Sequence, residues 1–346
     1  MSSPEQSKSP ADLVGWTPFQ IVPQPDNIYV HWIQLGDLHF ADPFFGQTVE
    51  RRLQDPARQV VTTPITALAE VAGLAQSLPP GAFVFHCARA GSTLLANAFR
   101  TLPGNLVLGE PQPINQLMGA PHRHQPEGPW PAWLRDLLAC LGQPRRPDER
   151  RSIVKFNSLA TLDGTRLTAV FPRVPALFLY RHPLEIMVSA LESPPVWLKL
   201  QNDPEGAARR LSLPAEALAG LSQEDFCGLA LKQIFEAALA QNHWLFVNYP
   251  DLSPESLPAL TAQLGIGDEN PPAGALEAVF RQDAKSIDGE AFTADAARKQ
   301  KQASPAIKAA CEKYLEAAYR DLEARRLSLP KSITKTPSHG SNPSSR

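Results

Sequence analysis

The chain has 346 residues, 43% of them hydrophobic, with a formal net charge of −2. That length can bury a sizeable core in one large α/β domain or two small ones. The near-neutral balance excludes general attraction to nucleic acid or an anionic membrane, so any positive site must be local.

No apolar run approaches membrane-span length, and residues 1–10 lack the apolar core of a secretory signal. The four cysteines, Cys87, Cys140, Cys227 and Cys311, contain no C-x-x-C pair. Free thiols in a reducing, cytoplasmic setting are the expectation.

In chain order, residues 1–15 are small, polar and proline-bearing and read as disordered. Residues 16–78 read as a strand-containing N-terminal extension. Within it, residues 27–35 are rich in β-branched and aromatic side chains and run into the turn Gly36-Asp37. Residues 48–53 suggest a short helix with Arg51 and Arg52, and 63–78 a helix stopped by Pro79-Pro80. Residues 79–328 then alternate short apolar runs with helical patterns. The runs at 82–85, 105–110, 152–156, 176–180 and 244–249 read as strands. Helical spacing covers 94–102, 133–141, the stretch from Pro183, 226–242, 257–264 and 307–326. Between them lie a proline-rich loop (119–131), a charged loop (145–151) and a surface excursion with one short helix (192–220). Residues 329–346 read as a disordered tail. The alternation implies an α/β fold, a central parallel sheet with helices on both faces, and ligands outside the carboxyl ends of the strands.

The chemistry concentrates in the first strand–loop–helix, whose loop is Arg89-Ala90-Gly91-Ser92-Thr93 followed by Leu94-Leu95. Gly91 permits a tight turn, and the N–H groups opening the helix suit a phosphate-like anion. Arg89 adds a planar, permanently charged fork for its oxygens. Against the nucleotide loop G-x-x-x-x-G-K-[ST], only Gly91 and Thr93 fit: His86 stands at the first glycine and Ser92 at the lysine. Glu110, Lys155 and Arg181 each end or follow a strand run. In a parallel sheet those positions share one crevice with Arg89, which suggests transfer of an anionic group with Glu110 taking a proton. His122 and His124 form an H-x-H pair with no local carboxylate or cysteine, so metal binding is not expected. Cys87, beside Arg89, reads as a small buried residue.

These motifs together resemble the sulfotransferases that use 3′-phosphoadenosine-5′-phosphosulfate (PAPS). The segment Arg89-Ala90-Gly91-Ser92-Thr93-Leu94-Leu95 is similar to their 5′-phosphosulfate loop. Arg181-His182-Pro183 with Ser189 is similar to their R-D-P…S signature for the 3′-phosphate, His182 replacing the usual aspartate. Val247-Asn248-Tyr249-Pro250-Asp251-Leu252 resembles V-x-Y-E-D-L, with proline in place of glutamate.

The resemblance implies a sheet of the P-loop type, PAPS as co-substrate and 3′-phosphoadenosine-5′-phosphate (PAP) as product, without a metal. It implies that Arg89, Ala90, Gly91, Ser92, Thr93 and Leu94 hold the phosphosulfate and that Arg181 and Ser189 hold the 3′-phosphate. Glu110 then deprotonates a hydroxyl or amine acceptor, and Lys155 neutralises charge on the bridging oxygen. The stretch with Lys285, Arg298, Lys299 and Lys301 resembles a basic loop closing over the nucleotide. Two alternatives stay open: a P-loop kinase-like phosphotransferase, and an inactive nucleotide-binding module serving as an interaction scaffold. The acceptor's class and the oligomeric state are not legible.

Overall fold

Five parallel strands form the central sheet of the computed structural model, which describes residues 8–25, 27–119, 128–267, 270–284 and 296–329. In chain order the strands are β1 (Thr17–Pro23), β2 (Ile28–Ile33), β3 (Val60–Pro64), β4 (Pro80–His86), β5 (Asn105–Gly109), β6 (Arg151–Lys155), β7 (Ala176–Tyr180) and β8 (Leu245–Asn248). The parallel sheet has the order β5-β6-β4-β7-β8, and β1-β2-β3 form a separate antiparallel sheet. Every residue of β5 and β7 is buried. Since successive side chains point to opposite faces, both faces of the parallel sheet must be covered.

The covering helices are α1 (Phe45–Leu53), α2 (Ala67–Leu74), α3 (Ser92–Arg100), α4 (Gln112–Gly119), α5 (Trp130–Leu141), α6 (Gly164–Val170), α7 (Pro183–Glu192), α8 (Pro204–Leu211), α9 (Gln223–Leu239), α10 (Leu257–Gln263), α11 (Ala275–Arg281), α12 (Ala296–Gln302), α13 (Pro305–Tyr314) and α14 (Glu316–Ala324). Helix α9 starts where Ser222 caps it, its hydroxyl accepting from the Asp225 N–H at 3.1 Å. Among the described residues no helix is long and apolar enough to cross a membrane.

Several sequence expectations change. Residues 63–78 are not one helix. Strand β3 takes the first part, its Thr63 hydroxyl accepting from the Trp32 indole N–H at 2.9 Å, and α2 follows from Ala67. The stretch 307–326 is two helices divided at the fully buried Leu315, which leaves helical geometry at φ −117°. The region expected to be disordered, 1–15, carries order from its second half. Leu13 is fully buried, and Gln143 accepts from the Gly15 N–H at 2.7 Å. Residues 1–7 and 330–346, the rest of the disorder expectation, lie outside the described residues, as do His122, His124 and Lys285.

The N-terminal sheet joins the common core rather than standing apart: β1 packs on α4 and α5, and α2 on α5. Its return loop also reaches the carboxyl edge of the parallel sheet. The Pro43 carbonyl oxygen lies 2.5 Å from where a Cβ on Gly109 would sit. Only glycine tolerates that approach at the end of β5.

Candidate functional site

Strand order reverses around β4. The chain leaves it for β5 and β6 on one side and for β7 and β8 on the other, which opens a crevice beyond the carboxyl ends. A cavity of about 1080 Å³ lies there, with Arg89, Gly91, Ser92, Thr93, Leu94, Glu110, Arg181 and Ser189 in its wall.

The β4–α3 loop is built from unusual backbone. Ala88 and Arg89 have φ of +64° and +51°, and Gly91 has +82°. Two left-handed non-glycine residues in succession are costly and need support from outside the loop. His86 supplies it: the Ala88 N–H donates to His86 Nδ1 at 3.0 Å. That bond leaves the ring proton on Nε2, which donates to the Phe156 carbonyl at 3.0 Å. Burial holds the His86 ring below the ordinary imidazole value, so it is neutral. Gly91 has a second reason to be glycine, because a Cβ there would lie 2.3 Å from the Tyr249 ring. Helix α3 begins at Ser92, and the first N–H groups of a helix have no intrahelical acceptor.

Arg89 reaches across to α7, its Nε donating to the Ser189 hydroxyl at 2.8 Å. The two anion motifs, a hundred residues apart, thus meet in one wall. Arg181, at the start of the β7–α7 turn, pairs with Glu185 one helical turn on and stacks over the Tyr249 ring at 4.7 Å. Glu185 in turn accepts from Gln300 of α12 at 2.8 Å.

On the far side, Glu110 follows β5 with φ +54°. Its Oε1 accepts from Lys155 Nζ at 2.5 Å and lies 3.6 Å from His86 Nε2. Burial drives the Glu110 carboxyl up, but the Lys155 ammonium and the His86 ring outweigh it and hold the group at about 2. The carboxylate is therefore ionised at neutral pH. Burial lowers the Lys155 ammonium from its ordinary value, with Glu110 opposing.

Most residues that sequence reasoning placed in the site come together there, and two sit one layer back. Lys155 is 1% exposed and stands behind Glu110 rather than in the wall, its Nζ 4.7 Å from the Phe44 ring centroid. Ala90 is fully buried and lies behind the wall. Of the basic C-terminal stretch, Lys299 is in the wall, whereas Arg298 faces Glu192 at 3.6 Å and Lys301 is exposed. Cys87 is buried, and burial pushes its thiol up to about 12. Among the described residues no three His, Cys, Asp or Glu side chains gather as a metal site would need.

Sequence reasoning missed Phe44 and Trp197, which reach the wall from segments without a signature, and the part His86 plays. A histidine at the first-glycine position was the only available signal for the last.

No protein-family model matches the chain, and no curated protein matches it. The sheet and its cavity define an α/β protein with a cleft at the carboxyl edge of five parallel strands. Beyond that class, the reading rests on the side chains in the cleft.

Proposed function

We propose that this chain is a PAPS-dependent sulfotransferase on a central sheet of the P-loop type. The observation that carries the reading is the 2.8 Å bond between Arg89 and Ser189. It joins two separate anion signatures in a cavity whose opposite side presents an ionised carboxylate.

In this reading Arg89 and the N–H groups opening α3 bind the 5′-phosphosulfate, and Arg181 with Ser189 takes the 3′-phosphate. Glu110 accepts the proton of the acceptor hydroxyl or amine. The acceptor's oxygen or nitrogen forms the new bond to sulfur. The bond from sulfur to the bridging oxygen breaks, and its electron pair leaves on the 5′-phosphate of PAP. The leaving group is already a stable anion, so the protein's contribution is positioning and charge stabilisation. Lys155, behind Glu110, acts by keeping that carboxylate ionised and in place.

Titration calorimetry with PAP, AMP and ATP tests the reading. PAP binds at least about tenfold more tightly than AMP, because the 3′-phosphate makes charge-assisted hydrogen bonds. EDTA leaves that affinity unchanged. Equal affinity for AMP and PAP removes the second anion site from the scheme. Tight binding of ATP only with Mg²⁺ replaces it with the kinase-like alternative. PAP binding without transfer to any acceptor points to the inactive module.

A further inference from the structure

One buried ring touches both halves of the cleft. His86 ends β4, is 4% exposed, and borders the cavity. On one edge, its Nδ1 accepts from the Ala88 N–H at 3.0 Å, two residues on in the loop. On the other, Nε2 lies 3.0 Å from the Phe156 carbonyl, just past β6, and 3.6 Å from Glu110 Oε1, just past β5. The charged groups that face the ring are the Glu110 carboxylate and, behind it, the Lys155 ammonium.

Only one of the ring's three proton arrangements satisfies all of these neighbours. A proton on Nε2 leaves Nδ1 a lone pair for the Ala88 N–H and offers a donor to the two oxygens. The opposite tautomer sets N–H against N–H at the loop and a lone pair against two oxygens at the strand ends. The imidazolium keeps the second contact and breaks the first. Burial and the Lys155 ammonium also disfavour it. The bond at Nδ1, from a side chain to the N–H two residues ahead, is the one by which Asn or Asp shapes an Asx turn. It holds the loop where Ala88 and Arg89 both take left-handed backbone, with φ of +64° and +51°. Such conformations persist only with support from their surroundings.

We infer that His86 is a two-edged positioning residue: Nδ1 shapes the anion loop, Nε2–H orients Glu110, and the two roles are separable by substitution. The inference rests on the sulfuryl-transfer reading for the part of Glu110 as base. The contacts themselves belong to the cleft whatever anion it takes. His86→Asn keeps an acceptor in the place of Nδ1 and removes the Nε2 donor. His86→Gln keeps a donor in the place of Nε2 and removes the near acceptor. Both shed part of the ring's packing, so a purely structural role predicts losses of the same kind in both.

The test uses the full chain at pH 7.5. Calorimetry with inorganic pyrophosphate, which resembles the phosphosulfate in shape, reads the loop. Single-turnover transfer from saturating PAPS to a phenol probe, 2-naphthol, reads Glu110. His86→Gln is expected to weaken pyrophosphate binding by about tenfold, because the Ala88 donor is left buried and unpaired, and to keep turnover within about threefold. His86→Asn is expected to do the opposite. Its pyrophosphate affinity stays within about threefold, and its turnover falls by about tenfold to a hundredfold as Glu110 loses its fixed orientation. Parallel losses in both variants, or the reverse split, overturn the inference.

A spectrum decides where a His86 variant does not fold. Nitrogen-15 resonances of the His86 ring at pH 7.5 are expected to show the neutral form protonated on Nε2. Glu110→Gln is expected to move the Nε2–H resonance without moving the proton to Nδ1. The other tautomer, an imidazolium, or a resonance indifferent to Glu110→Gln overturns the assignment. A PAP titration run beside these separates the two claims. The pyrophosphate split with the expected ring spectrum, in a chain that neither binds PAP nor transfers, defeats sulfuryl transfer alone. PAP binding and transfer without the split, or with the other tautomer, defeats the role of His86 alone. A wild type that binds neither anion defeats both.

Discussion

Two carboxylate–cation pairs that border the cavity are arranged in opposite senses. In Lys155–Glu110 the carboxylate is in the wall at 27% exposure and the ammonium is sealed behind it at 1%. In Arg181–Glu185 both side chains are 8% exposed, and the cation is in the wall with the carboxylate behind. The first pair joins residues 45 positions apart, from the ends of β5 and β6, and the second lies along one turn of α7. The member placed outward decides what the pair offers. An outward carboxylate kept ionised by a hidden lysine is a proton acceptor. An outward guanidinium kept in place by a hidden glutamate is an anion anchor.

Breaking the outward member of the first pair gives the largest expected effect. Glu110→Gln preserves size and removes the proton acceptor, so single-turnover transfer falls by about 10²–10⁴. PAP affinity measured by calorimetry stays near that of the wild type. A loss of PAP binding instead means that Glu110 belongs to the nucleotide side.

Breaking the outward member of the second pair does the reverse. Arg181→Ala weakens PAP binding by about tenfold to a hundredfold and leaves AMP binding nearly unchanged. Arg89→Ala weakens both nucleotides and turnover together.

The hidden members sharpen the comparison. Lys155→Met removes the main attraction holding the Glu110 carboxyl at about 2 and leaves burial opposed by the His86 ring alone, so the value rises. A base must be deprotonated to act, so raising its value moves the acid limb of the rate profile upward. The wild type is expected to show no limb from Glu110 between pH 5 and 8, and the variant to lose turnover as pH falls through that window. Matching profiles of kcat/KM would falsify this tuning role.

The smallest change belongs to Glu185→Gln, which keeps a hydrogen-bond partner for Arg181 and drops its charge. PAP affinity moves within about fivefold, and Glu185→Ala costs more because the guanidinium loses its hold.

The parallel sheet was legible because strands buried on both faces read as continuous apolar runs, as in Leu106-Val107-Leu108 and Leu177-Phe178-Leu179. Strand β3 was not. It is an edge strand with one buried residue, Thr63, and the helical spacing of α2 ran back over its last two residues, Thr63-Pro64. The site was legible wherever a functional residue sits at a strand end, because the topology alone gathers those ends. Arg89, Glu110 and Arg181 meet that condition. The position of Lys155 behind Glu110 was not readable, since it depends on which way one long side chain turns. Phe44 and Trp197 depend on loops that acquire meaning only after the two sheets pack together.

The close passage of Pro43 over Gly109, with Phe44 against Lys155, also sets a timetable for synthesis. The loop at 43–44 leaves the ribosome roughly a hundred residues before the lysine it covers, an interval on the order of ten seconds. Through the larger part of that interval, until α4 and α5 are made, Ile21, Val30 and Trp32, all destined for the core, lack those helices to pack against. A three-stranded antiparallel sheet with two open edges is a template for mispairing. The nascent N-terminal segment is thus the part of the chain that most needs shielding. The Glu110 corner of the cavity is completed only when that early segment folds down onto the later one.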